Sequence, residues 1–179
     1  MNIMKFLIIL LIFSFMEQES ILYNFEEKTS TKDWQIINDG VMGGLSKGSL
    51  TISPEGHGIF SGQVSLENYG GFTSMRYRFN QLKTINYSKF ILRIKGDGKR
   101  YQLRVKNTDR QAHSYIQYFT TNGEWQTIEI PFNTMYASFR GRKLDYPNYN
   151  GSEMEEISIL IGNKKAESFK ITIDRIILR

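Results

Sequence analysis

From Ile21 to Arg179 the chain falls into short runs in which apolar and polar residues alternate with a period of two. No stretch sustains the 3.6-residue period of an amphipathic helix. Alternation sends successive side chains to opposite faces of a strand, so each run can bury one face and wet the other. Phe169, Ile171 and Ile173 alternate with Lys170, Thr172 and Asp174, and the run closes on the wholly apolar Ile176-Ile177-Leu178. Phe90, Leu92 and Ile94, then Tyr101, Leu103 and Val105, flank Gly96-Asp97-Gly98-Lys99, which predicts a β-hairpin. The same logic predicts strands over residues 35–38, 48–52, 59–66, 73–79, 113–120, 126–131, 157–161 and 169–178. Residues 152–156 are expected to form one helical turn capped by Ser152. Residues 133–152 read as a long polar and aromatic loop. Many short strands separated by turns make an all-β jelly-roll β-sandwich.

Composition agrees. Twelve Phe, ten Tyr and two Trp favour pleated structure, and 179 residues suffice for one domain with its own core, taken as 21–179. Residues 1–20 differ: Lys5 precedes an apolar run, residues 6–16, and Glu17-Gln18-Glu19-Ser20 turns polar. That is the layout of a secretory signal, too short for a comfortable membrane span. If it acts as one, the protein is exported or membrane-associated at the cell envelope; otherwise it is cytoplasmic. The absence of cysteine excludes disulfides, thiolate catalysis and cysteine metal sites. A net charge of +5 suits acidic partners, but no dense basic block or RNA-binding aromatic motif predicts nucleic acid.

Nine of the fifteen glycines fall between Gly40 and Gly71, where they fix a backbone path and supply no reactive group. The sequence Trp34, four residues, then Asp39-Gly40-Val41-Met42-Gly43-Gly44-Leu45-Ser46 is followed by Gly58-Ile59-Phe60-Ser61-Gly62. Next come Asn68-Tyr69-Gly70-Gly71-Phe72-Thr73-Ser74-Met75-Arg76, then Gly96-Asp97-Gly98 with Tyr101, Trp125, Pro131-Phe132 and Arg140-Gly141. In this order the motifs resemble the complex I intermediate-associated protein 30 family, over nearly all the chain from Phe25. The resemblance implies a galactose-binding-like β-sandwich, similar in fold to some carbohydrate-binding modules. It also implies an assembly-factor role, scaffold-like rather than enzymatic, as in the mitochondrial members. This chain has an apolar N-terminus where those members carry an Arg/Ser-rich leader.

Reactive constellations are few. His57 lies in a glycine-rich turn and His113 opens a strand, without the nucleophile elbow that a Ser-His-Asp hydrolase needs. Asp39 and Asp97 precede glycines, where Asp makes turn bonds, and Glu26-Glu27 reads as a solvated face. No metal-ligand spacing occurs, although a structural Ca²⁺ could draw on Asp33 or Asp174. Gly43-Gly44 and Gly70-Gly71 lead into β-type residues, so they read as tight turns, not phosphate loops.

Function is therefore sought on a face. With Leu92, Ile94, Leu103, Val105, Ile116 and Tyr118 inward, one outer surface is expected to present Arg76, Arg93, Gln102, Arg104 and Tyr115. Arg140 and Arg142 in the long loop join this contact set. Trp34, Asp39, Gly43, Gly44, Asn68, Gly70 and Gly71 hold the adjoining loops in shape. Guanidinium forks pair with carboxylates or phosphates, and aromatic rings stack on sugars. The expected partners are protein subunits of a membrane-associated complex, or an acidic or polar glycan. A small hydrolase is the disfavoured third reading.

Overall fold

A computed structural model describes residues 18–25 and 30–179; most of the signal-like segment and Glu26-Glu27 lie outside them. Thirteen strands run in chain order: β1 (Ser20–Asn24), β2 (Trp34–Asn38), β3 (Lys47–Ile52), β4 (Gly58–Val64), β5 (Thr73–Lys83), β6 (Lys89–Lys95), β7 (Arg100–Lys106), β8 (Ser114–Thr120), β9 (Trp125–Pro131), β10 (Tyr136–Phe139), β11 (Arg142–Lys143), β12 (Glu153–Ile161) and β13 (Glu167–Leu178). The only helical pieces among the described residues are 3₁₀ turns at Thr31–Asp33, Asp39–Met42, Glu67–Tyr69 and Phe132–Thr134. No helix there is long and apolar enough to cross a membrane.

The strands form two antiparallel sheets. One has the order β3-β4-β13-β6-β9; the other has the order β11-β10-β8-β7-β12-β5-β2. The long β13 is the spine of the first. It pairs with β4 along residues 167–173 and with β1 along residues 175–178, while β6 holds its other edge. The inward residues meet in one core: Phe60, Leu92, Ile94, Phe169, Ile171 and Ile173 from one sheet, Met75, Leu103, Val105, Ile157, Ile159 and Ile161 from the other. At one end β1 and β2 contribute an aromatic cluster. Trp34 lies 5.6 Å from the Phe25 ring, stacked on it, 5.0 Å from Tyr23 and 5.3 Å from Tyr77. Trp34 therefore anchors the start of β2 to β1 across the sandwich, and its role is packing. The result is the all-β, galactose-binding-like jelly-roll sandwich that the alternation and the motifs predict.

Three local expectations are corrected. The Gly96–Lys99 turn is not a hairpin: β6 pairs with β13 and β9 in one sheet, β7 with β12 and β8 in the other. The link crosses between sheets because Asp97 ties it down. The carboxylate accepts from Tyr101 Oη (3.0 Å), Lys99 Nζ (2.9 Å) and the Lys170 amide of β13 (2.9 Å). Alternation cannot distinguish a hairpin from such an arch, since both bury the same side chains. Residues 152–156 are not a helical turn: Glu153 to Glu156 open β12, where buried Met154 and Glu156 straddle a register shift. The long loop contains β10 and β11, joined by Arg140 (φ +49) and Gly141 (φ +76). Two consecutive positive φ angles make the tight primed turn of a two-residue hairpin.

Candidate binding face and the Asp39 clamp

The glycine motifs converge on one carboxylate. Asp39 is buried, and its Oδ1 accepts from the Ser46 amide (3.1 Å). Its Oδ2 accepts from Ser46 Oγ (2.5 Å) and the amides of Gly71 (2.7 Å) and Phe72 (3.3 Å). Burial alone would raise this carboxyl; the Ser46 hydroxyl and the Gly71, Phe72 and Ser46 amides outweigh it and hold the group below the usual carboxylate range. A Cβ at Gly44 would collide with the Asp39 carboxylate, and one at Gly70 would lie 2.7 Å from its Oδ2. Glycine is required because the backbone must approach the carboxylate this closely. Asn38 extends the tie, its Oδ1 accepting from the Gly48 amide (3.1 Å) and Thr73 Oγ1 (2.6 Å). Gly43 (φ +85) and Asn68 (φ +53) supply the left-handed turns that bring the two loops together. Asp39, Gly43, Gly44, Asn68, Gly70 and Gly71 thus form a backbone clamp with no reactive group aimed at solvent.

The outer face of the seven-stranded sheet carries the polar chemistry. Register aligns Gln35, Arg76, Ser158, Arg104, Ile116 and Tyr136 in one row across β2, β5, β12, β7, β8 and β10. The adjoining row holds Arg78, Glu156 and Lys106. On the other side lie Ser74, Leu160, Gln102 and Tyr118. Glu156 is only 2% exposed. Its carboxylate accepts from Arg78 Nε at 2.9 Å and faces Arg76 Nε at 3.4 Å. Arg104 Nη1 donates to Gln102 Oε1 (2.9 Å), and Gln102 Nε2 donates to Tyr118 Oη (3.1 Å). The Arg100 guanidinium sits 4.4 Å from the centre of the Tyr118 ring, and Lys143 Nζ 5.3 Å from that of Tyr136. Burial pushes the Arg104 guanidinium and the Lys106 ammonium below their usual ranges, with Glu156 opposing. The face can fix a polar or anionic group by charge and donor geometry.

Arg76, Gln102 and Arg104 therefore come together as the sequence predicts; the rest of that surface does not. Arg93 lies on β6 of the other sheet, its guanidinium 5.3 Å from the Trp125 ring. Tyr115 is opposite Val105 and Ala137, so it points inward, 5.3 Å from the Tyr149 ring. Ile116 and Tyr118 take the outer face instead. Arg140 and Arg142 occupy the exposed β10–β11 hairpin at the sheet's edge, apart from the Arg76–Arg104 row. Arg78, Lys106 and Tyr118 belong to the face, and so do Tyr136 and Glu156, which an expected loop and helical turn conceal.

The remaining chemistry is sparse. His57 Nδ1 lies 3.9 Å from Asp174 Oδ1, with its ring edge-on to Trp125. His113 packs between Tyr115 and Tyr146, and burial lowers its pKa. His57 Nδ1 and His113 Nε2 are buried without a hydrogen-bond partner among the described residues. No group of three His, Asp or Glu positioned for a metal occurs among those residues, Asp33 and Asp174 included. An open cleft of about 510 Å³ at the end of the sandwich is lined by Tyr87, Lys89, Glu129, Phe132 and Tyr149.

Solved structures of similar fold include carbohydrate-binding modules. The family 11 module from Clostridium thermocellum, in complex with a β-1,3-1,4-mixed-linked tetrasaccharide, superposes with a TM-score of 0.62. It is 19% identical, and the match covers 89% of this chain and 94% of the module. A family 29 module gives 0.53 at 12% identity, over 90% of this chain and 91% of that one. At these identities the likeness concerns the fold. Among curated proteins, the mitochondrial complex I intermediate-associated protein 30 of Mus musculus is 26% identical, over 73% of this chain and 46% of its own length. The probable homologue of Caenorhabditis elegans is 27% identical, over 86% and 52%. The chain spans about half the length of the curated relatives it matches. The model of the family named complex I intermediate-associated protein 30 matches residues 23–173, a span that takes in the Trp34 anchor, the Asp39 clamp and both arginine rows. On that match the chain belongs to the complex I intermediate-associated protein 30 family.

Proposed function

We propose that this chain is a non-enzymatic binding domain that works as an assembly factor does, holding protein subunits of a membrane-associated complex against the outer face of its seven-stranded sheet. The observation that carries the reading is the pre-set polar face, with Arg76, Gln102 and Arg104 fixed by Glu156 and Tyr118. Family membership supports the choice of a protein partner. The apolar N-terminal segment, if it acts as a signal, would put this activity at the cell envelope; fractionation with mass measurement of the N-terminus tests that location. For binding, a photo-crosslinking amino acid at exposed Gln35, on the face, is expected to capture membrane-complex subunits identified by mass spectrometry. The same group at Thr127, on the opposite sheet, is expected not to. Absence of such subunits from the Gln35 cross-links would overturn the proposal.

A second reading, a glycan-binding domain, is favoured by one observation: Tyr118 and Tyr136 share the same face. It predicts retardation in a gel containing mixed-linked β-glucan, lost in Tyr118→Ala. Unretarded wild-type protein would dismiss it.

A further inference from the structure

The face has more positive charge than its own acid offsets. Four cations flank Glu156 of β12, Arg76 and Arg78 on β5 and Arg104 and Lys106 on β7, while Arg100 at the start of β7 sits over Tyr118. The Glu156 carboxylate lies within ion-pair distance of Arg76 and Arg78 and acts on Arg104 and Lys106 by charge alone. It faces Arg76 and Arg78, whereas among the described residues neither Arg104 nor Lys106 has an ion-pair partner. Arg104 spends one N–H on Gln102, and its remaining N–H groups have no hydrogen-bond partner among the described residues. Ser158, buried in the row between Arg76 and Arg104, puts a small hydroxyl between the two arginine positions.

Spacing and ring environment narrow the ligand. Arg76 to Arg78, and Arg104 to Lys106, are each two residues along a strand, roughly 7 Å. Alternate side chains of an extended polypeptide repeat at the same distance. The two cationic pairs lie two strands apart, roughly 10 Å, so one extended chain can run along β12 between them. The outer aromatic rings already carry cations, Arg100 over Tyr118 and Lys143 over Tyr136. A sugar stacking there would compete with a cation–π contact, whereas an anion would not.

We infer that the face between β5 and β7 is a docking site for an extended acidic polypeptide segment with carboxylates at alternate positions, received by Arg104 and Lys106 on one side and by Arg76 and Arg78 on the other. This rests on the proposed binding role and names its partner chemistry. Glu156 is the built-in competitor: it occupies Arg76 and Arg78 until a partner's carboxylates arrive. The burial that holds the Arg104 and Lys106 pKa values down is the condition under which an added carboxylate gains most from pairing.

The test is fluorescence anisotropy with a labelled synthetic peptide alternating glutamate and serine, against a peptide alternating glutamine and serine, with oligogalacturonate as competitor. Wild-type protein is expected to bind the glutamate peptide alone, less tightly as salt rises. Arg104→Gln and Arg76→Gln should each weaken binding by about tenfold, a difference of about 1.4 kcal/mol. Glu156→Gln should tighten it, which a merely structural role for Glu156 would not produce. Equal binding of both peptides, an unaffected Arg104→Gln, or weaker binding by a folded Glu156→Gln would overturn the inference. So would oligogalacturonate binding more tightly than the peptide through the same arginines, which assigns the face to acidic sugars. If Gln35 cross-linking to subunits survives any of these results, the acidic-segment inference falls and the binding-domain reading stands.

Discussion

Replacing Asp39 tests whether the family's glycine motifs are built around its carboxylate. The group receives four hydrogen bonds, three from backbone amides and one from Ser46 Oγ. A hydrogen bond to a charged group contributes about 1.5–3 kcal/mol net, and such terms do not add within one cluster. In Asp39→Asn the amide oxygen is best placed at the Oδ2 position, where it keeps three donors. The new NH₂ then confronts the Ser46 amide, donor against donor. Loss of that bond and of the charge on the others predicts destabilisation of about 2–3 kcal/mol. Asp39→Ala strands three buried backbone amides, while the Ser46 hydroxyl keeps the Ser65 carbonyl as an acceptor, and should cost about 4 kcal/mol. Both are large fractions of a stability of about 5–15 kcal/mol. Urea denaturation should show lower midpoints with unchanged m-values, and melting temperatures about 5–10 °C lower for the Asn variant.

The pH dependence has a definite sign. The unfolded chain takes up the Asp39 proton at about pH 3.9, the folded chain only at lower pH. Between those points unfolding binds a proton. The clamp's contribution is therefore complete above about pH 4 and is lost as the pH falls through the folded-state value. The gap between wild type and Asp39→Asn should be widest near neutrality and shrink in acid. An Asp39→Asn variant within about 0.5 kcal/mol of wild type at neutral pH, or a gap that stays constant into acid, would refute the clamp.

Other expectations follow from equally specific contacts. Tyr101→Phe removes the hydroxyl that fixes Asp97 in the inter-sheet arch and should lose about 1–2 kcal/mol by urea denaturation. Gly141→Ala forces a side chain onto φ +76 in the β10–β11 turn and should lose about 1 kcal/mol. Burial pushes the Tyr149 phenol up to about 12, against the hydrogen bond with Thr84. Unfolded tyrosine ionises near pH 10, so stability should fall with rising pH by about 1.4 kcal/mol per unit from pH 10 toward 12 for this group. Tyr149→Phe should flatten that slope.

How far the sequence carries depends on the range of the interaction. Strand positions in β5, β7, β9 and β13 are legible because their inward residues repeat every second position, a local signal. β10 is not, since Tyr136-Ala137-Ser138-Phe139 offers two equally mixed faces and a single β-type pair at its ends. β8 is found but turned over: Tyr115, Gln117 and Phe119 are about as apolar as Ser114, Ile116 and Tyr118. Only pairing with Leu103 and Val105 of β7 decides which set goes in. The site depends on still longer range. Arg78 and Glu156 are 78 residues apart in sequence and become partners only because β12 inserts between β5 and β7. Asp39 looks like a local turn residue and instead binds amides 32 and 33 residues away.

The motif Asn68-x-Gly70-Gly71-Phe72-x-Ser74-x-Arg76 divides along this line. Its first half is explained by folding: Asn68 turns the backbone, Gly70 makes room for the Asp39 carboxylate, and Gly71 and Phe72 donate to it. Its second half is β5, where Met75 enters the core while Ser74 and Arg76 point the other way. The clamp fixes where β5 begins, and the pleat then fixes which of its residues reach the outer face. A register slip of one residue would put Met75 outside and send Arg76 into the core beside Ile157 and Ile159. On the proposed binding role, the clamp would act through register. Weakening Asp39 should degrade binding at Arg76 only when β5 loosens, while Arg104, held by β7 and Gln102, keeps its place.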